Sequence, residues 1–351
     1  MSSQYLSEKF SEMIPYRLGE QPTDKKYIKL NSNETSFPAS PLVSKVLKDA
    51  SLNLLGFYSD QDGTVLREAL SCLYQVTCDQ VLVGNGADEM LSFCFLAYGE
   101  TRGFSFPDIS YGFYKTFLRA FQMEYEEIPL NKDFTVDLEA FKKSRRHIVL
   151  ANPNAPTGLC LTTDQIKNLL ESDTGRIVII DEAYLGYGAN SCMELLSSYK
   201  NLIIVHTMSK SRNIAALHVG YAIANEDIIQ ELSCIKNCFN PNNLNQITLD
   251  AAVAAVKDQD YTEWCCRQKV LIRDEISNEM KKMGFTVIPS STNFIFFTHP
   301  LMNANDLEKK LREYGILVRY YPQERISNYI RMTIGTREEM EYVLKTFKNI
   351  L

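Results

Sequence analysis

The sequence predicts an α/β protein, with a large domain on a mostly parallel central sheet and a smaller α+β domain beside it. Three observations predict this. Runs such as IVII at 177–180 and LIIV at 202–205 are apolar throughout. An unbroken run suits a strand covered on both faces, as in a parallel sheet between helices. Amphipathic stretches such as Thr163–Glu171 separate the runs, which is α/β order. Polar residues also crowd behind three successive runs, and open parallel sheets bind ligands beyond the carboxyl ends of their strands.

In chain order, strands are expected at Gln80–Gly84, Gly103–Phe106, Met123–Ile128, His147–Ala151, Arg176–Ile180, Leu202–His206 and Val219–Ala224. The pattern changes after Asn225. A long helical region is expected over Asp227–Met283, interrupted near NPNN at 240–243. Short strands follow at Thr286–Ile288, Asn293–Thr298, Gly315–Arg319 and Tyr329–Thr333, with helices between and after. The expected division is a large domain over 28–255, and a smaller one over 256–351 that takes up an N-terminal arm, 1–27.

The 351 residues are 45% hydrophobic, enough for a sizeable core. Acidic residues outnumber basic ones 43 to 37, which argues against a general nucleic-acid binder. The nine cysteines are scattered without a CxxC pair, and only four histidines occur. Reduced thiols in a cytoplasm are the expected state, with no metal site. The start, MSSQYLSEKFSEM, lacks the apolar run of a leader. No stretch is long and apolar enough for a membrane span.

The three polar clusters are Asn152-Pro-Asn154-Ala-Pro-Thr157-Gly158, Asp181-Glu182-Ala-Tyr184 and Thr207-Met-Ser209-Lys210. A lysine in a pocket of lowered dielectric loses its proton more easily and becomes a nucleophile toward carbonyls. An aspartate at a strand end can pair with a protonated ring nitrogen. Tyrosine and asparagine can hydrogen-bond a ring oxygen, and hydroxyls can hold phosphate. A fourth segment, VGNGADE at 83–89, reads as strand, glycine turn and helix start, whose N–H groups suit phosphate. A fifth, Pro107 to Tyr114, places an aromatic ring after a strand.

These motifs resemble the fold-type I, class I/II pyridoxal-phosphate aminotransferases, closest to the histidinol-phosphate aminotransferase group. The matching segments are LNSNE at 30–34, FYSDQDGTVLREAL at 57–70, VLVGNGADE at 81–89, NPNAPTG at 152–158, DEAY at 181–184, TMSK at 207–210 and RMTIGT at 331–336. Their joint order and spacing over nearly the whole chain carry the resemblance. It implies pyridoxal 5'-phosphate held covalently on Lys210, which also moves the substrate proton. It implies Asp181 at the pyridine nitrogen, Tyr184 and Asn154 (or Asn152) at the ring oxygen, and Tyr111 stacked on the ring. The backbone of Ala87 and Asp88, with Thr207 and Ser209, would hold the phosphate. Tyr58 would reach a neighbouring subunit's cofactor, which implies a homodimer. Arg331 would grip a substrate carboxylate and Arg319 a substrate phosphate, with Asn33 closing over the site.

The implied reaction is amino transfer from a small-molecule donor to a 2-oxo acid, with histidinol phosphate and 2-oxoglutarate as the pair. An aromatic or broad-specificity aminotransferase and a threonine-phosphate decarboxylase-like lyase are the alternatives. Two positions depart from the family pattern. His218 stands where a phosphate-binding arginine is usual, so that either His218 itself or Arg212 takes over that role. Ala155 stands where many members place asparagine.

Overall fold

The computed structural model describes residues 3–11, 13, 15, 19–51 and 55–351. The expected N-terminal arm falls partly on residues outside this description. Seven strands form the large sheet, in the order Val81–Asn85, Val219–Ala224, Leu202–Thr207, Val178–Asp181, His147–Ala151, Phe104–Pro107 and Tyr125–Ile128. Val219–Ala224 runs antiparallel to both its neighbours, and every other pairing is parallel.

The unbroken apolar runs have a direct structural cause. Ile179, Ile203 and Val205 pack with Met90, Leu91 and Phe95 of helix Gly86–Arg102 on one face of the sheet. Val178, Ile180, Leu202 and Ile204 pack with Phe141, Leu169 and Leu170 on the other. Successive side chains of one strand point to opposite faces, so both faces being covered demands apolar residues at every position. Each fully buried branched aliphatic contributes about 1.5–3 kcal/mol.

The register sets up the site. Ala151 pairs with Asp181, and Asp181 with Val205, so two strands end level and the third runs two residues further, to Thr207. Thr207 lies opposite Gly220, and Gly220 opposite Gly84. The polar clusters therefore leave the sheet along one edge, next to the start of helix Gly86–Arg102.

A second, antiparallel sheet has the order Arg319–Tyr320, Ile330–Thr333, Phe294–Thr298 and Thr286–Ile288. Ile272, Ile276, Ile295, Phe297, Met332, Val343 and Phe347 join it to helices Gln259–Lys282 and Arg337–Ile350 in one core.

Two expectations are corrected here. The strand expected over Gly315–Arg319 is two strands in two sheets. Ile316–Leu317 pairs in parallel with Ile28–Lys29, and Arg319–Tyr320 pairs with the Ile330–Thr333 strand. The helical region after Asn225 breaks twice, giving Glu226–Phe239, Gln246–Lys257 and Gln259–Lys282. The second break lies at Asp258, whose non-helical backbone ends one helix and starts the next. Leu30 is buried in the smaller core, and its carbonyl accepts from Thr333 N at 2.9 Å.

Candidate active site

The phosphate-sized cradle begins at Gly86, the first residue of a 17-residue helix with Asn85 as its cap. Gly86 has φ +82°, which favours glycine. Gly220 lies so close beneath that a Cβ there would collide with the backbone of Gly86 and Ala87. The first N–H groups of a helix lack intrahelical partners and attract anions. Beside them, Thr207 Oγ1 donates to Ser209 Oγ at 3.0 Å, and Ser209 N–H donates to Thr207 Oγ1 at 3.2 Å. His218 lies over Gly86, whose Cβ, were there one, would be 2.6 Å from the ring. Its Nδ1 is 3.1 Å from the Asn85 carbonyl oxygen and 3.0 Å from Asn85 Oδ1. Arg212 turns away from this place. It is buried, donating to Gln259 Oε1 at 3.0 Å and to the Ala255 carbonyl at 2.5 Å. His218, not Arg212, is thus the residue beside the cradle.

Lys210 points from the end of strand Leu202–Thr207 toward the N-terminal LNSNE segment, with Nζ 3.5 Å from the Ser32 carbonyl oxygen. Burial pushes its ammonium down to about 8, and the Arg331 guanidinium adds to the effect. Glu34 and Asp88 work the other way. A lysine so placed is a ready nucleophile and base near neutral pH.

Asp181 is 3% exposed. Its Oδ2 accepts from the Tyr114 hydroxyl at 2.7 Å, and its Oδ1 from Ala183 N–H at 3.0 Å. Burial pushes the carboxyl up to about 6, although both hydrogen bonds favour the anion. Tyr111 donates to Asp88 at 2.9 and 3.2 Å and meets the Tyr114 ring edge-on, centroids 5.6 Å apart. Tyr114 is a site residue that the sequence reading passed over. The signal was its spacing: it follows Tyr111 by three residues, and such residues share one face of a turn.

Asn33 ties the site to the smaller sheet. Its Nδ2 donates to Tyr184 Oη at 2.7 Å, and its N–H to Thr333 Oγ1 at 3.0 Å. Tyr184 also packs edge-on against Phe294 at 5.1 Å.

The expected ring contact from Asn154 is not what its side chain does. Its Nδ2 donates to the Ile109 carbonyl and to Thr157 Oγ1, both at 3.0 Å, and its Oδ1 accepts from Ser110 Oγ at 2.8 Å. An amide has two hydrogens, and both are used in shaping the turn. Asn152 is likewise engaged, with Leu161 N–H on its Oδ1 at 2.6 Å.

Arg331 and Arg319 face each other on adjacent antiparallel strands. Both guanidiniums lie against the Tyr321 ring, at 5.9 and 5.8 Å. Arg331 donates to the Asn31 carbonyl at 2.9 Å, and its buried Nε has no hydrogen-bond partner among the described residues. Tyr58 is 90% exposed, and Leu55 and Phe57 beside it are exposed too.

Glu182, next to Asp181, faces the opposite way. It accepts from Ser191 Oγ and Cys192 N–H, both at 2.7 Å, with His206 Nε2 3.5 Å away. Burial pushes Glu182 up to about 7. His206 is pushed down to about 3 by burial and by the Arg212 guanidinium, so the histidine is neutral. A carboxyl raised on folding stabilises the fold fully below its ordinary value and loses that contribution as pH rises through the folded value. Glu182→Gln is therefore expected to flatten the fall in stability between about pH 4.5 and 7, by on the order of 3 kcal/mol. Urea midpoints of both proteins at several pH values measure this, and parallel pH curves would contradict it.

A family model described as aminotransferase class I and II matches residues 25–347. The chain is 41% identical over 350 residues to a protein named histidinol-phosphate aminotransferase from Clostridium botulinum (strain Langeland), covering 99% of both. It is equally similar, 41% over 350 residues and 99% of both chains, to one so named from Brachyspira hyodysenteriae. Among solved structures, the Sinorhizobium meliloti histidinol-phosphate aminotransferase in complex with pyridoxal-5'-phosphate superposes with a TM-score of 0.88. It covers 100% of this chain and 99% of that one at 20% identity.

Proposed function

This chain belongs to the aminotransferase class I and II family and is a pyridoxal-phosphate-dependent aminotransferase; on that premise we propose that it interconverts histidinol phosphate and its 2-oxo counterpart, with 2-oxoglutarate and glutamate as the other pair. The observation that carries the substrate assignment is the Arg319–Arg331 pair, two guanidiniums in register at the mouth of the site. A planar guanidinium binds phosphate or carboxylate by paired hydrogen bonds. Two of them suit a substrate set in which one member carries phosphate and another carboxylates. The names of the relatives near 40% identity point the same way.

The residues present fit the cofactor. The bare backbones of Gly86 and Gly220 let the helix start lie directly against the strand that ends beside Thr207, which brings the first helical N–H groups next to the Thr207 and Ser209 hydroxyls. The buried Asp181 carboxyl is raised by desolvation, a state that a protonated ring nitrogen would relieve. Pyridoxal phosphate, when bound, supplies an electron sink for the negative charge that develops at the substrate Cα.

The rest is the work of this chain's own groups. The N–H groups of Ala87 and Asp88 and the hydroxyls of Thr207 and Ser209 hold phosphate. Asp181 keeps the proton on the pyridine nitrogen. Lys210 Nζ would hold the cofactor and would serve as the base and acid that takes up and returns the proton of the substrate Cα. Its lowered affinity for protons suits it to both directions near neutral pH. Tyr111 packs on the ring, and Tyr184, steadied by Asn33, serves the ring oxygen. Arg331 receives carboxylate and Arg319 phosphate. We further propose a homodimer in which the exposed Tyr58 reaches the partner's phosphate cradle.

The test is a half-reaction. Purified holoenzyme is mixed with histidinol phosphate, glutamate or phenylalanine, and the loss of cofactor absorbance is followed. Conversion by histidinol phosphate and glutamate, without release of carbon dioxide, is expected. A response to phenylalanine but none to histidinol phosphate would overturn the assignment.

His218 offers fewer donors than the arginine usual there. His218→Arg is expected to tighten cofactor binding several-fold, in titrations of apo-protein with pyridoxal phosphate. An unchanged dissociation constant would leave the histidine without a part in the phosphate grip.

A further inference from the structure

We propose that Lys269 is a positioning residue for Lys210, acting through Asn213. This rests on the reading of Lys210 given above and adds a residue to it from the far side of the fold.

Asn213 lies three residues beyond Lys210 and has φ 58°. The left-handed region is strained for most side chains, although asparagine tolerates it. Asn213 is 8% exposed, and its side chain joins three segments. Its Nδ2 donates to the Pro38 carbonyl at 3.1 Å, and its Oδ1 accepts from Lys269 Nζ at 2.6 Å. Pro38 follows shortly after the LNSNE segment that faces Lys210, and its carbonyl also accepts from Tyr261 Oη at 3.0 Å. Lys269 lies mid-way along helix Gln259–Lys282, in the core of the chain at 1% exposure.

An ammonium at that depth is costly unless it is held. Among the described residues no carboxylate forms an ion pair with Lys269. Its environment is instead the faces of Phe37 and Tyr187, 5.2 and 5.7 Å from Nζ, together with the Asn213 oxygen. Ring faces attract cations, and the aromatic walls leave Asn213 as the directional partner. Burial pushes the ammonium down to about 8. A cation kept there at such cost fixes the atom it bonds. That atom belongs to the turn carrying Lys210, which is otherwise spanned only by a long 3.5 Å contact from Ile214 N–H to the Met208 carbonyl. One turn further along the same helix, Arg273 Nη1 donates to the Tyr187 and Thr292 carbonyls at 2.8 and 3.0 Å. That bond holds the segment just after Tyr184. The helix thus clamps the chain behind two site residues at once, and Lys269 is the clamp behind the lysine.

The test uses Lys269→Met, Asn213→Gly and the double variant as holoenzymes. Methionine keeps length and suits aromatic walls. Glycine keeps the left-handed backbone without strain. Two properties are read: the pH midpoint of the bound-cofactor absorbance change, and kcat against KM for the amino donor. Each single variant is expected to move the midpoint by about half a pH unit or more and to lower kcat roughly fivefold with KM nearly unchanged, as misplacement of a reacting group does. The double variant is expected to be no worse than the worse single one, because both changes cut the same link. Lower melting temperatures with an unmoved midpoint and kcat would overturn the proposal, as would effects that add. A wild-type protein with no pH-dependent cofactor band would instead overturn the reading of Lys210, and the clamp with it.

Discussion

Lys210→Ala is expected to abolish amino transfer, lowering kcat by roughly a thousandfold or more, the upper part of what a positioned acid–base group contributes. Two losses combine in it. The covalent hold on the cofactor goes, and so does the group that carries the proton at the substrate Cα. No neighbour can take over. Asp88, whose carboxyl is pushed up by burial, already accepts the Tyr111 hydroxyl. Arg331, whose charge acts on Lys210, is the group proposed for the substrate carboxylate and not for proton transfer. The fold should survive, because Nζ makes only a long 3.5 Å contact to the Ser32 carbonyl, and removing a desolvated ammonium relieves a cost. Single-turnover assays with histidinol phosphate on the purified variant measure the loss. Activity within tenfold of wild type, with an unchanged melting temperature, would mean that the chemistry lies elsewhere.

Much of the arrangement around that lysine could be read from residue order, and the parts that could not share one physical property. The strands His147–Ala151 and Val219–Ala224 were legible to the residue, because strands buried on both faces advertise themselves as continuous apolar runs. The three polar clusters were legible for the same reason: they are the first interruptions of those runs. What escaped depends on contacts between distant segments. The Ile316–Leu317 strand leaves the run at Val318 because its partner is Ile28–Lys29, some 290 positions away. Tyr114 was given no role from the sequence, and only the fold brings its hydroxyl to Asp181. Asn154 matched a motif, but its hydrogens were committed by Ile109 and Thr157, which no pattern along the chain reveals. Arg212 and His218 could not be ranked by charge alone. The backbone turned one into the Ala255 side of the sheet and laid the other on Gly86. Tyr58 remains a statement about a second copy of the chain.

Asp181→Asn is the substitution expected to come second in effect, lowering kcat by about a hundredfold or more while leaving the fold in place, in the range found when a preorganised charge is removed from a reacting centre. The amide fills the same space: its oxygen can accept from Ala183 N–H and its NH2 can donate to the Tyr114 hydroxyl oxygen in place of the bond Asp181 accepts, so packing is kept. It cannot hold a proton on the pyridine nitrogen by charge, and the ring loses its capacity to accept electrons. The pH dependence distinguishes this from a structural defect. In the unliganded protein the carboxyl is raised to about 6 by burial. Its ordinary value is near 3.8, so between these two values the folded state binds the proton more tightly than the unfolded one. Stability from this group is complete below about pH 4 and disappears as pH rises through about 6. Asp181→Asn should therefore make the apo-protein more stable than wild type at pH 7, by on the order of 2–3 kcal/mol if the amide is as well accommodated. In the holoenzyme the order should reverse, because the cofactor's ring cation pairs with the carboxylate and not with the amide. Denaturation of apo- and holo-forms of both proteins at pH 7 reads all four states. If the variant is less stable in both forms by the same amount, Asp181 serves the fold and not the ring.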